Sequence, residues 1–477
     1  MRTGRGITIA PVLGMLALGV ALAWPARAGE TDWWIADSPS DYARSESNGV
    51  VVTPDGALEL GPRASSSPAE SLSVVWALAV LRDGSVAAAG DHGRILRWTA
   101  GGRLKPWVQL PVGQVLSLAA DGDGVLAGTG PEGLVYRIGA RGDTARFART
   151  GERYVWGIAA GTRGGRPAWY AATGTRGRLM RLEGGTATIV VDTDESNLVS
   201  IAPDGRGGVY AGGDSHGRIV HARADGTLGT LFDAAEDEVR AIAVGADGAV
   251  YAAALTAAAE TDGGEREGTD EPAPAKSAVA GGRAMLYRIV PDSSSSAWWP
   301  SPQPFVFALA RAGHSVVAAT GNRAGVYRAE RSNGATQLLA APQGQVTALA
   351  VGADGAIYAA TSNPGALWVL GPGRAERGEL TSPVLDARRL ARFGTVLWRG
   401  EANGARVELH SRSGNTDPPD TTWSGWSGDR RPQAGVRAAR RRRATTSGGS
   451  RSRAGPRTSR RSRRRGASAI SRRGSRR

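Results

Sequence analysis

From Val75 to Leu370 the chain repeats one grammar of short apolar runs separated by polar turns. The first run of each copy reads VWALA (75–79), VLSLA (115–119), VWGIA (155–159), LVSIA (198–202), VRAIA (239–243), VFALA (306–310) and VTALA (346–350). The second reads VAAAG, VLAGT, WYAAT, VYAGG, VYAAA, VVAAT and IYAAT, and the third RILRW, LVYRI, RLMRL, RIVHA, MLYRI, GVYRA and ALWVL. Asp-Gly follows the first run in five copies (83–84, 123–124, 204–205, 247–248, 354–355), with Gly164-Gly165 and Gly313-His314 in the other two. Asp-Gly accepts the positive φ angles of a two-residue hairpin, so each copy is predicted to open with a tight β-hairpin. A less regular fourth strand includes 104–110 and 188–192.

The copies are spaced by 40, 40, 43, 41, 67 and 40 residues. A period near 40 built from four short strands is that of a propeller blade. The long interval holds an insertion, 256–283, whose Ala, Gly, Pro and acidic composition reads as a flexible loop. Alanine and glycine columns in the second run contradict ordinary strand preference. The conflict resolves if blades crowd around an axis, where small side chains let neighbouring sheets approach. The expected fold is therefore all-β: a seven-bladed propeller over 71–378, with Ala57–Leu60 in the 29–70 extension as the strand that closes the ring. On these repeats the chain resembles secreted bacterial β-propellers of the WD-repeat-like and quinoprotein-like kind.

Composition adds a compartment. Arg2 and Arg5, an apolar stretch from Ile7 to Trp24 and Ala26-Arg27-Ala28 form a signal-peptide pattern, predicted to be cut after Ala28. Pro11, Gly14 and Gly19 shorten that stretch below what a membrane span needs. The expectation is export, to the periplasm or beyond, with no span after cleavage. The chain has no cysteine, which excludes cysteine nucleophiles, disulfides and cysteine zinc sites.

The net charge of +15 comes from the end of the chain, where 429–477 hold 19 arginines against Asp429. That tail has no aromatic and no lysine, so nucleic-acid binding is not expected of it. It reads as disordered and as the product of a shifted reading frame. Before it, 379–428 alternate apolar and polar residues without the 40-residue period, like the opening strands of a β-sandwich. Trp423-Ser424-Gly425-Trp426-Ser427 matches the WSxWS pattern of cytokine receptors, but an alternating strand is the simpler account.

No nucleophile elbow, phosphate loop or HExxH is present. His92 and His216 share one turn slot, which reads as a solvated tip. More suggestive is the residue just before each first strand. Gln114, Tyr154, Asn197, Glu238 and Gln345 would converge at one end of the channel, with Asp194, Glu195 and Asp237 close by. Oxygen-rich groups there suit a small ligand or Ca²⁺. The leading expectation is a monomeric, non-catalytic exported propeller that binds a protein or glycan partner. The alternative is a metal-dependent lactonase or lyase with its site at that mouth.

Overall fold

The computed structural model describes residues 33–256, 283–330, 334–388, 390–396, 398–400, 406–427, 438–445 and 448–454. The chain divides into two compact units, Met1–Asp37 and Ser38–Arg477. Of the first, residues 33–37 are described and form no regular element; the signal-peptide segment 1–28 lies outside the described residues. No helix among the described residues is long and apolar enough to cross a membrane.

Seven four-stranded antiparallel sheets account for the repeats. Their innermost strands are Val75–Val80, Gln114–Asp121, Tyr154–Arg163, Leu198–Pro203, Glu238–Val244, Val306–Ala312 and Gln345–Val351. Each innermost strand packs against the next, and the seventh against the first, so the ring is closed. The fold is the expected seven-bladed propeller. One assignment needs correction. Leu58–Leu60 does not close the ring but pairs with Val50–Val52 in a small hairpin. The closing strand is Pro62–Pro68, outermost in blade seven, in register with Ala366–Arg374 through pairs such as Trp368↔Ser66. An outer strand contributes mainly main-chain hydrogen bonds, so a serine-rich segment bounded by prolines suffices.

The alanine columns have the reason expected of them. The buried apolar residues form seven clusters, each joining two adjacent blades. Along Val86–Gly90 alternate residues go to alternate interfaces: Val86 and Ala88 join blade seven, while Ala87 and Ala89 join blade two. A strand buried on both faces at this spacing admits only small side chains, and Ala87, Ala88 and Ala89 have no exposed surface.

Blades two, three and six turn in two residues as expected, with Asp121 opposite Gly124, Arg163 opposite Arg166 and Ala312 opposite Ser315, and positive φ at Gly122, Gly164, Gly165 and Gly313. The other four blades use a longer turn. In blade one the glycine alone is left-handed, Gly84 at φ 81°, and Asp83 Oδ1 accepts the Ser85 N–H at 2.9 Å. The aspartate is there for its side-chain acceptor, not its tolerance of positive φ. It also explains part of the arginine column. Arg97 reaches Asp83 at 2.7 Å and covers the Trp107 ring at 4.9 Å. Arg288 does the same with Asp247 and Trp298, at 2.7 and 5.6 Å. In these two blades the arginine clamps turn, third strand and outer strand, whereas Arg181 and Arg328 pair with Glu183 and Glu330 on their own strand.

Outside the ring, Glu46–Asn48, Gly378–Thr381, Gly448–Ala454 and Glu408–Ser413 form one sheet, and Leu390–Val396 pairs with Ala438–Thr445. Two stretches of the tail expected to be disordered are thus paired strands; 455–477 lie outside the described residues. Main-chain pairing does not depend on side-chain type, and the edges of Gly378–Thr381 and Glu408–Ser413 offer a template for it. Trp423–Ser427 is not an alternating strand. Ser424 and Ser427 each donate a main-chain N–H to 413 and 411 and each accept one back on the hydroxyl, while Arg412 lies over both indoles at 5.4 and 4.6 Å.

Candidate functional site at the channel mouth

Two sets of loops share one face of the ring: those entering each innermost strand, and the turns between second and third strands. Bridges such as Asp91↔Gln114, Gly174↔Asn197 and Gly321↔Gln345 tie the two sets together across neighbouring blades. The insertion within blade five is rooted on this face, since Leu255 pairs with both Glu238 and Ala284. Residues 257–282 lie outside the described residues.

Every innermost strand carries the same irregularity. The ladder to the second strand skips one residue, the second of each run: Val75 and Ala77 are paired and Trp76 is not, and likewise at Leu116, Trp156, Val199, Arg240, Phe307 and Thr347. A β-bulge re-aims a side chain and frees a carbonyl from the ladder. At three of the seven the carbonyl is taken by the preceding blade: Ser117 Oγ donates to Val155 O at 3.0 Å, Ser200 Oγ to Val239 O at 2.7 Å and Thr347 Oγ1 to Val75 O at 2.6 Å. Seven bulges therefore turn seven side chains out of the ladder near the mouth-facing end of the inner strands, three of them aromatic.

Blade three carries a connected set of these side chains. Tyr154 and Trp156 lie 5.2 Å apart at 33°, with the Arg153 guanidinium 5.5 Å from the Tyr154 ring. Asn197 Oδ1 accepts the Trp156 indole N–H at 3.2 Å, and Asp214 holds Asn197 through its side-chain and main-chain N–H at 2.6 and 2.7 Å. Gly174 leaves room for this contact: a Cβ there would lie 1.7 Å from Asn197 Oδ1. Further round the ring Phe305 stacks on Phe307 at 5.8 Å and 11°, and Arg240 sits over Phe307 at 5.8 Å. Trp76 is 37% exposed.

The residues expected at the mouth are on this face, but they do not form an oxygen nest. Glu195 is buried and accepts the main-chain N–H groups of Ser215, His216 and Arg218. Asp194 is bound by Arg218 at 2.7 and 2.8 Å, which holds its carboxyl below the usual range. Glu238 pairs with Arg240 at 3.2 Å. Gln345 accepts the Ser362 hydroxyl at 3.3 Å, while Gln114 and Asp237 are exposed. Among the described residues no three His, Asp or Glu side chains converge at metal-binding distance. His92 and His216 are exposed turn residues.

Sequence reasoning singled out the residue before each first strand and missed the bulged one after it. The signal was a column of varied, mostly large side chains (Trp76, Leu116, Trp156, Val199, Arg240, Phe307, Thr347) followed by one of small residues.

No model of a protein family and no curated protein matches the sequence. Solved structures do match in fold. A streptogramin B lyase aligns with a TM-score of 0.50 and 15% identity, covering 65% of this chain and 97% of that one. A catalytically inactive virginiamycin B lyase from Staphylococcus aureus, with quinupristin, aligns at 0.51 and 13%, covering 65% and 99%. The WD40 β-propeller domain of Doa1 aligns at 0.49 and 11%, covering 66% and 97%. At these identities the likeness is one of fold.

Proposed function

We propose that this protein is an exported, monomeric binding propeller whose recognition surface is the bulge-lined mouth of the channel, and that it does not transform its ligand. The observation that carries the reading is the bulge repeated in all seven inner strands, which turns Trp76, Trp156, Phe307 and Arg240 out of the ladder. Aromatic platforms with a cation over each of two of them bind by stacking. Three acids of the same face, Asp194, Glu195 and Glu238, are held by arginines or main-chain N–H groups, which supports recognition over metal-assisted hydrolysis. The test uses glycan and peptide arrays probed with the full chain, Trp156→Ala and Phe307→Ala. Ligands held by the native protein should be lost from both variants and recovered with unchanged mass. Binding kept by both variants would place the site elsewhere, and an altered mass would make the protein an enzyme. Amino-terminal sequencing of periplasmic material should begin at Gly29.

A further inference from the structure

Resting on the mouth as the binding surface, we propose that the ligand is an acidic oligosaccharide: a chain end whose carboxylate meets Arg153 while its sugar faces stack on Tyr154 and Trp156. The first argument is charge. The other arginines around blade three's end of the face are neutralised locally: Arg176 and Arg178 by Glu152 at 2.8 and 3.1 Å, and Arg218 by Asp194 at 2.7 Å. Arg153 is exposed and has no carboxylate partner among the described residues, although its guanidinium is positioned over Tyr154. A guanidinium fork fits a carboxylate in two parallel hydrogen bonds, so Arg153, beside the Tyr154 and Trp156 rings, is a place on the mouth able to take an anion.

The second argument is shape. Leu116 is buried, and Trp156 and Phe307 are half-buried, which leaves recessed side chains around an axis. A stable protein interface needs about 800 Å² from each partner, which suits a broad face better than a recessed ring. A slim chain end fits. The rings present flat faces for sugar C–H groups, and the exposed Gln114 amide adds hydrogen bonding for hydroxyls. The stacking surface is fixed in advance, since Asp214 and Asn197 hold the Trp156 indole, so little ordering is lost on binding.

The third argument compares the two platforms. The second platform, Phe305 and Phe307, lies under Arg240, but Glu238 neutralises that cation at 3.2 Å. Of the two aromatic platforms, that of blade three therefore has its overlying cation free to meet the carboxylate.

The test is calorimetric titration of the full chain with trigalacturonate, maltotriose and hexaglutamate at fixed salt. Trigalacturonate should bind at least about tenfold more tightly than the other two. Arg153→Ala should remove that preference, Arg153→Lys should keep part of it, and Trp156→Ala should weaken trigalacturonate and maltotriose together. Equal affinity of Arg153→Ala for trigalacturonate would overturn the proposal. So would hexaglutamate binding as tightly as the sugar, which would mean charge or peptide recognition. If trigalacturonate fails while another array ligand is lost from Trp156→Ala, this inference falls and the mouth remains the site. A ligand kept by both Trp156→Ala and Phe307→Ala removes the mouth itself.

Discussion

Asn197 accepts the indole N–H of Trp156 across the boundary between blades three and four, at 3.2 Å. The contact joins a side chain freed by a bulge to the loop that enters the next blade, and it fixes the ring in the attitude a stacked ligand needs. Gly174 makes it possible. Gly174→Ala would place Cβ 1.7 Å from Asn197 Oδ1 and 2.9 Å from Trp156 Nε1. Overpacking of this kind costs about 1–3 kcal/mol. The expected result is a lower Tm, a changed tryptophan emission and weakened binding at the mouth; an unchanged emission spectrum would show that the indole does not depend on Asn197.

The clamps inside the blades predict behaviour in acid. The carboxyl of Asp83 is held low mainly by the Ser85 hydroxyl and that of Asp247 mainly by Arg288. A depressed carboxyl contributes its stability in full above its unfolded value, near 4, and loses it as pH falls through the folded value. Both groups are partly exposed, so each clamp contributes at most about 1 kcal/mol. Stability should be flat from pH 7 to 5 and fall below 4. The double variant Asp83→Asn and Asp247→Asn should be less stable at pH 7 and show a shallower decline, measured by urea unfolding. An unaltered slope would deny the clamps any role.

Blade four replaces the arginine of the clamp with His221, whose Nε2 lies 2.9 Å from Asp204 Oδ2, with Tyr210 4.3 Å away ring to ring. Asp204 is nearly inaccessible and also accepts the main-chain N–H groups of Arg206 and Gly208. Asp204→Ala leaves those donors without their acceptor and should cost about 2–4 kcal/mol. His221→Arg restores the bridge made by Arg97 and Arg288 and should be milder. Equal losses for the two, in thermal unfolding, would mean that Tyr210 packing and not the bridge matters in this blade.

Arg412 holds the Trp423–Ser427 segment by lying over both indoles, at 5.4 and 4.6 Å. Arg412→Ala should remove about 1–2 kcal/mol from that segment, with faster proteolysis around 419–427 and loss of near-ultraviolet signal. The propeller transition should stay where it is. A propeller Tm that falls with the ladder would show that the segment supports the ring.

The blades were legible in the sequence because strand spacing and the two-sided burial of the alanine column are written in residue type. The closing strand was displaced by a few residues for a physical reason. Leu58–Leu60 has the apolar look of a strand and is one, whereas Pro62–Pro68 does its work through the main chain, which residue type barely records. The mouth was legible in part. Asn197 was found as a polar group before an apolar run, but its partner Trp156 reads as one more core residue. A bulge is a main-chain event, visible only as a variable column beside Val75, Val115 and Val155. The partners of Asp194 and Glu195 were not legible, because sequence cannot show that Arg218 and the main chain of 215–218 hold them.

The central claim is that side chains freed by the bulges meet the ligand. It is tested most directly by fluorine NMR of the full chain carrying 5-fluorotryptophan, with resonances assigned by single Trp→Phe substitutions and titrated with whichever array ligand binds most tightly. The account predicts that the Trp76 and Trp156 resonances shift with the binding isotherm, while Trp107 and Trp298 on the outer strands stay in place. Shifts confined to Trp107, Trp298 or the Trp423–Trp426 pair, with Trp76 and Trp156 unmoved, would contradict it.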